Sequence, residues 1–145
     1  MSRIDFYRLA EEGPEALATA VCLITGKAYQ TGHRVHILTA DPDWRSDLDQ
    51  RLWTYRSQAF IPHARTEEAD PDDPEPVLLG TDCHPSVEAD VLVCATPPET
   101  TCVAAFPRVV ELVTPDTTIR QAARERYQAY RAAGHELHTH DIRVN

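Results

Sequence analysis

The sequence predicts an α/β fold: a single domain whose mostly parallel sheet is covered by helices on both faces. Short apolar runs rich in valine, isoleucine and leucine alternate with longer segments of helical periodicity, which is the pattern of such folds. The length of 145 residues and the hydrophobic content of 42% suit one globular domain with its own core. We expect residues 1–145 to form this domain, with a topology like that of nucleotide-binding domains.

Individual elements follow from the same patterns. Strands are predicted where a run is short, apolar and rich in β-branched residues. These runs are residues 3–9, 34–38, 77–80, 89–95 and 108–113. Helices are predicted where apolar residues recur at intervals of three and four. These segments are residues 15–30, 44–53 and 115–133.

Capping residues mark the helix ends. Asp41 or Asp43 can accept hydrogen bonds at the start of the second helix. Thr114 is expected to cap the last helix, with Pro115 in its first turn. Gly134 is expected to end that helix, because glycine readily adopts the left-handed conformation found there.

Two segments are expected to be irregular. Residues 65–76, RTEEADPDDPEP, hold six acidic residues and three prolines, a composition that predicts a solvated surface loop. Residues 135–145 are expected to form a polar C-terminal tail. Their histidines at 135, 138 and 140 leave a metal site as an alternative to a solvated tail.

The charge and the cysteines limit the classes of function. A formal net charge of −9 argues against a broad nucleic-acid-binding face, although it leaves room for a small cationic site. The four cysteines form no CxxC pair, so neither a zinc knuckle nor a thioredoxin-like motif is expected. Cys22 and Cys94 lie in apolar runs and are expected to be buried thiols of a reduced, cytoplasmic protein. No signal peptide is expected, and no apolar run approaches the ~20 residues that span a bilayer.

Signatures of nucleotide binding and catalysis fail at specific positions. Residues 25–27, TGK, resemble the end of a phosphate loop, but Val21 occupies the position of its first glycine and Ala28 that of its Ser or Thr. Neither GxGxxG nor GxSxG is present. We therefore expect no cofactor, no metal and no catalytic constellation.

The last predicted helix concentrates cations in an acidic protein. Arg120, Arg124, Tyr127 and Arg131 are spaced by four, three and four residues and should form one stripe. The face that packs on the sheet is expected to hold Ile119, Ala122 or Ala123, Tyr130 and Ala133. The stripe is either a solvated surface whose arginines pair with distant acids, such as those of the acidic loop, or an anion-recognition face. Arginine binds carboxylates bidentately, so a peptide with a C-terminal carboxylate and an aromatic residue would suit the second interpretation.

A second group of apolar residues lies near a proline. Trp53, Phe60, Ile61 and Pro62 are compatible with ordinary core packing and also with a partner-binding patch. The segment alone does not decide between the two.

Five segments, taken in order, resemble a known family. They are RLW, AFIPH, ADVLV, RVVELV and ARERYQAYRAAG. Together they resemble the chi subunits of bacterial DNA polymerase III holoenzyme. The resemblance implies a non-catalytic subunit of the clamp-loader assembly with two protein partners. One is the psi subunit; the other is the acidic C-terminal tail of the single-stranded-DNA-binding protein, which ends in proline and phenylalanine. Contact with DNA would be indirect.

The resemblance also implies site residues. The tail-binding positions are Arg124, Tyr127, Arg120, Val113 and Arg131, of which Val113 would supply an apolar wall. Gln128 stands where the motif usually has a basic residue, so the site would be less cationic here. The psi-binding positions are Trp53, Phe60, Pro62 and His63. The alternative is an α/β enzyme or binding domain that uses the same arginines for a small anionic ligand.

Overall fold

The computed structural model describes residues 2–54, 61–70, 72, 74–82 and 88–144. Within these residues the chain forms one seven-stranded sheet in which all paired strands are parallel. The strands are β1 (Arg3–Leu9), β2 (Val35–Leu38), β3 (His63–Arg65), β4 (Val77–Gly80), β5 (Val91–Cys94), β6 (Arg108–Val113) and β7 (Glu136–Ile142). Their order across the sheet is β3-β4-β2-β5-β6-β1-β7. The predicted α/β class is confirmed.

Helices cover both faces of this sheet. They are α1 (Pro14–Gln30), α2 (Pro42–Thr54), α3 (Thr100–Val103) and α4 (Thr117–Ala132), with a short 3-10 helix at Thr66–Glu68. One core lies between the sheet and α1 with α2, and it includes Leu9 and Leu48. The other lies beneath α3 and α4, and it includes Phe6 and Tyr130. Because side chains alternate along a strand, β1 contributes to both cores.

The segment predicted as a polar C-terminal tail is instead the edge strand β7. It pairs with β1 over seven residue positions, from Arg3 with Glu136 to Leu9 with Ile142. Gly134, at φ 87°, turns the chain out of α4 in the left-handed conformation that glycine tolerates. The strand escaped prediction because an edge strand is only half covered, so polar residues occupy most of its positions.

The start of α4 also differs from the prediction. The helix begins at Thr117, and Asp116 is its cap, with Oδ1 accepting a 3.0 Å hydrogen bond from the Ile119 amide. Thr114 is buried and precedes the helix together with Pro115. Asp116 is two residues nearer the first helical turn, and its side chain satisfies one of the free amides there.

The packing face of α4 is narrower than predicted. Ala123 and Tyr130 are buried as expected, but Ile119 is 40% exposed and Ala133 lies on the surface. Ile119 is in the first turn of the helix and Ala133 is its C-terminal cap. The buried contact of α4 with the sheet is therefore made by its middle part, through Ala123 and Tyr130.

The acidic segment 65–76 is partly regular. Arg65 ends β3, and residues 66–68 form the 3-10 helix. Arg65 forms an ion pair with Glu68. Glu67 forms another with Arg45 of α2, with Oε1 of Glu67 2.8 Å from Nη2 of Arg45. The prediction of an irregular loop was therefore wrong for the first four residues of the segment, although Glu67 and Glu68 are exposed as predicted. Positions 71 and 73 lie outside the described residues.

The three cysteines that the structure describes divide into two groups. Cys22 and Cys94 are buried free thiols, as predicted, and burial raises the pKa of Cys22 to about 11. Cys102 is disulfide-bonded, so the expectation of fully reduced cysteines was wrong. Spacing along a sequence does not reveal which sulfurs come within bonding distance. None of the helices that the structure describes combines the length and the apolar character that crossing a membrane requires.

Candidate functional site

A cleft lies between α4 and strands β1, β6 and β7, with a volume of about 190 Å³. Its lining residues are Phe6, Arg8, Val113, Arg120, Ala123, Arg124, Tyr127, Gln128 and Thr139. The wall formed by α4 carries two arginines, and a third comes from β1. Four of the five predicted tail-binding residues therefore lie around one cavity.

The position of α4 is fixed by a buried polar cluster on its inner face. The Tyr130 hydroxyl donates a 2.5 Å hydrogen bond to Oε2 of the buried Glu111 in β6. Arg126 donates to Oε1 of the same carboxylate from Nε at 2.8 Å and from Nη2 at 2.7 Å. Burial raises the pKa of Tyr130, and the negative charge of Glu111 raises it further. Burial alone would lower the pKa of Arg126, but the hydrogen bond and charge of Glu111 raise it above its ordinary value.

An aromatic group forms the floor of the cleft. The buried ring of Phe6 lies 5.6 Å from the ring of Tyr127 and 6.0 Å from that of Tyr130, measured between centroids. Val113 and Ala123 are buried beside them. The alanine is small enough to let α4 approach the sheet closely, so the apolar floor is continuous from β6 to the helix.

Among the described residues, no acidic side chain neutralises the arginines of the wall that α4 forms. Arg120 and Arg124 are exposed and lie one helical turn apart on the same face of α4. Neither guanidinium has an ion-pair or hydrogen-bond partner among the residues that the structure describes. The described acids of the acidic segment that form ion pairs do so with Arg45 and Arg65 instead. For Arg120 and Arg124, pairing with distant acids is therefore not observed within the described ranges.

Two residues fall outside the predicted pattern. Arg131 is exposed on α4 but does not line the cleft, although it continues the stripe of Arg124 and Tyr127 in sequence. Arg8 lines the cleft and was missed by the sequence reasoning. Its alternation with Ile4 and Phe6 was the available signal, because residues at i, i+2 and i+4 share one face of a strand.

The predicted psi-binding residues lie near the opposite edge of the sheet. Trp53, near the end of α2, is 51% exposed, and its ring centroid lies 4.5 Å from that of His63 in β3. His63 is buried, with its Nδ1 2.7 Å from the carbonyl oxygen of Ile61 and its Nε2 3.0 Å from Oδ1 of Asp49. Pro62 is half-buried. The fourth predicted residue, Phe60, lies outside the described residues.

The C-terminal histidines have separate partners. His135 accepts a 3.0 Å hydrogen bond from the Ser2 amide at Nδ1. His138 contacts Glu136 at 2.9 Å, and His140 contacts the buried Asp5 at 2.8 Å. In the described part of the chain, no three metal-ligating side chains are grouped to hold an ion. The metal-site alternative therefore has no geometric support there.

The fold and the cleft together define an α/β protein with a cationic, aromatic-walled cleft at one side of its sheet. The family model of the DNA polymerase III chi subunit, HolC, matches residues 1–138, and the chain belongs to this family. It is 40% identical to DNA polymerase III subunit chi of Pseudomonas aeruginosa, over 98% of both chains. It is 32% identical to the subunit of the same name from Escherichia coli K12, over 96% of this chain and 97% of that one. Membership assigns the protein to DNA polymerase III and to DNA replication.

A solved structure of unrelated sequence shares the fold. The crystal structure of T4 UvsW matches with a TM-score of 0.71 at 7% identity, over 99% of this chain and 42% of that one. At this identity the likeness concerns the fold alone. The chain thus corresponds to less than half of that protein.

Proposed function

We propose that the protein is a non-catalytic accessory subunit of the DNA polymerase III clamp-loader assembly. In this proposal its cleft binds the acidic C-terminal tail of the single-stranded-DNA-binding protein. The surface around Trp53, near the end of α2, binds the psi subunit. The protein then links the loader to coated single-stranded DNA. The observation that carries the proposal is the pair Arg120 and Arg124, which have no ion-pair partner among the described residues and lie beside the aromatic floor of Phe6 and Tyr127.

The arrangement of the cleft suggests how such a tail is held. Arg124 lies between Arg120 and Tyr127 on α4, so a carboxylate at Arg124 has a cation on one side and an aromatic ring on the other. We assign the terminal carboxylate of the tail to Arg124, in a bidentate pair. The terminal phenyl ring then packs on Phe6 and Tyr127. The acidic side chains that precede it are attracted by Arg120.

The two proposed partner sites are far enough apart to be occupied together. The cleft involves β6, β1 and β7 at one end of the sheet, and His63 belongs to β3 at the other end. Even a weak affinity for the tail would then suffice, because tethering through psi raises the effective concentration of the tail near the loader.

A peptide titration tests the tail-binding proposal. The probe is a fluorescent peptide with several acidic residues followed by a C-terminal Pro-Phe, and binding is followed by anisotropy. Arg124→Ala is expected to weaken binding at least tenfold, because it removes the partner of the terminal carboxylate. Arg131→Ala removes the same charge from the same helix outside the cleft and is the matched control.

The same titration separates the proposal from a small-anion site. A peptide that lacks its final phenylalanine should bind poorly if the aromatic floor is used. Equal binding of both peptides would instead favour a site for a generic anion. Unchanged affinity of the Arg124→Ala variant would refute tail binding in this cleft.

The psi-binding proposal has its own test. Trp53→Ala removes a half-exposed aromatic ring from the surface near β3, and such rings often dominate the energy of an interface. We expect the variant to lose co-purification with psi while retaining the tail peptide. Loss of tail binding with psi binding intact would contradict the assignment of the two surfaces.

A further inference from the structure

We propose that Arg8 is a further binding residue of the cleft, held by Asp141, and that it recognises an acidic side chain upstream of the ligand's terminal carboxylate. The inference rests on the proposed binding of an acidic C-terminal tail. It adds a recognition element that comes from the sheet rather than from α4.

The strand register places Arg8 at the edge of the cleft. Arg8 is two residues after Phe6 on the same face of β1, a distance of about 7 Å along the strand. It pairs with Val113 of β6 on one side and with Asp141 of β7 on the other. Its guanidinium therefore rises from the same surface as the aromatic floor, close to the carboxyl ends of the strands.

The direction of α4 brings a second cation to this end of the cleft. Because α4 connects the parallel strands β6 and β7, it runs antiparallel to both, and its first turns lie over the carboxyl ends of the strands. Arg120 is in the first turns of the helix, whereas Tyr127 and Gln128 lie farther along it. Arg8 and Arg120 thus flank one end of the cleft, and the aromatic residues occupy the other.

The cleft therefore has a cationic end and an aromatic end, which sets the direction in which a tail would lie. A tail whose phenyl ring rests on Phe6 and Tyr127 directs its preceding acidic residues towards Arg120 and Arg8. Gln128, at the aromatic end, is neutral. The cations available to the acidic side chains therefore come from two different elements, α4 and β1.

Asp141 orients the Arg8 side chain but leaves some of the N–H donors of Arg8 unused. The pair is bidentate, with Arg8 Nε 2.8 Å from Oδ1 and Nη2 3.2 Å from Oδ2. The Arg8 and Asp141 side chains are 53% and 76% exposed, and ion pairs at such exposure are weak. Nη1 takes no part in this pair, and arginine carries five N–H donors in all. A ligand carboxylate can therefore share Arg8 with Asp141 or displace it, while the charge of Asp141 opposes the ligand.

Two substitutions with opposite expected effects test the inference, using the labelled acidic Pro-Phe peptide. Arg8→Gln should weaken binding about two- to fivefold, the range of an exposed charge pair. Asp141→Asn should strengthen binding, because it removes a competing negative charge and releases Arg8. In the double variant the gain from Asp141→Asn should shrink, since much of it acts through Arg8.

Controls separate this inference from the proposed function and from bulk charge. Arg131→Gln changes the net charge equally outside the cleft and should leave affinity nearly unchanged. A peptide with asparagines in place of its upstream acids should bind wild type and Arg8→Gln alike. If Arg8→Gln matches Arg131→Gln while Arg124→Ala still abolishes binding, the role of Arg8 is wrong and tail binding stands. If wild type does not bind the peptide at all, both proposals fail.

Discussion

The phenol of Tyr130 and the carboxylate of Glu111 share a 2.5 Å hydrogen bond in the buried layer between α4 and β6. Arg126 completes the cluster by donating to the other oxygen of the same carboxylate. Both donors belong to α4, so the helix is attached to the sheet at one face. The neighbouring face of the helix, with Arg120 and Arg124, is thereby held beside the floor of the cleft.

Removing the Tyr130 hydroxyl is expected to destabilise the fold. In Tyr130→Phe, Oε2 of Glu111 loses its donor while staying buried, which should lower the free energy of unfolding by about 2 kcal/mol. Urea denaturation measures this change. The control is Tyr127→Phe, because the Tyr127 hydroxyl has no hydrogen-bond partner among the described residues; its effect should stay within about 0.5 kcal/mol. Equal losses in the two variants would show that the Glu111 contact adds no stability.

Asp5 is expected to make stability depend on pH in the acid range. Burial alone would raise the pKa of this carboxyl group, but hydrogen bonds from His140 and Arg3, with the charge of Arg108, lower it below its ordinary value of 3.8. A carboxyl group whose pKa is lowered by folding stabilises the native state fully above its unfolded pKa. That stabilisation is lost as the pH falls from 3.8 towards the folded pKa.

The Asp5→Asn variant isolates this contribution. Above the ordinary pKa of Asp5 it should be less stable than wild type by on the order of 3 kcal/mol, because Arg3, Arg108 and His140 lose their shared carboxylate. The difference should narrow as the pH is lowered below 3.8. Urea unfolding at a series of pH values measures it. A gap that widens towards acid would mean that folding raises the pKa of Asp5.

The contributions of the Tyr127 ring and of the neighbouring arginines to peptide affinity should differ in their dependence on salt concentration. Tyr127→Ala is expected to weaken tail-peptide binding by roughly 2 kcal/mol at any ionic strength, because it removes apolar contact. The Arg120→Gln variant should lose affinity at low salt and approach wild type at high salt, since exposed charges are screened. Anisotropy titrations at several salt concentrations compare the two. A salt-sensitive loss in Tyr127→Ala would mean that the ring acts through charge instead.

The free thiols of Cys22 and Cys94 should be inert in the folded protein. Burial raises the pKa of Cys22 to about 11 and that of Cys94 well above its ordinary value, so thiolate is scarce at neutral pH. Iodoacetamide labelling followed by peptide mass mapping should modify both only after denaturation. Rapid labelling of either residue in native protein would indicate a local opening near α1 or β5.

Much of the fold could be read from the sequence because its signals are local. Buried strands such as 108–113 are continuous apolar runs, and the arginines of α4 follow helical spacing from a recognisable start. That spacing also predicted that Arg120, Arg124 and Tyr127 share a face. The cap was misplaced by two residues because Thr114 and Asp116 are both good capping residues, and local chemistry does not choose between them.

The features that were not predicted depend on contacts between residues far apart in the sequence. Strand β7 is polar, and only its pairing with β1 identifies it as a strand. The pair of Arg8 with Asp141 cannot be predicted until β7 is recognised as a strand. Arg131 was predicted to belong to the cleft because it follows Arg124 and Tyr127 at helical spacing. The cleft ends before Arg131, which spacing alone does not show.

The pairing of β1 with β7 has a consequence for how the molecule matures. Arg8 and Asp141 are 133 positions apart in the chain, and β1 must also join β6 before the floor of the cleft exists. Contacts of such high contact order tend to form late in folding, after local helices and neighbouring strands. The groove proposed to bind the tail can therefore form only after β1, β6 and β7 have paired.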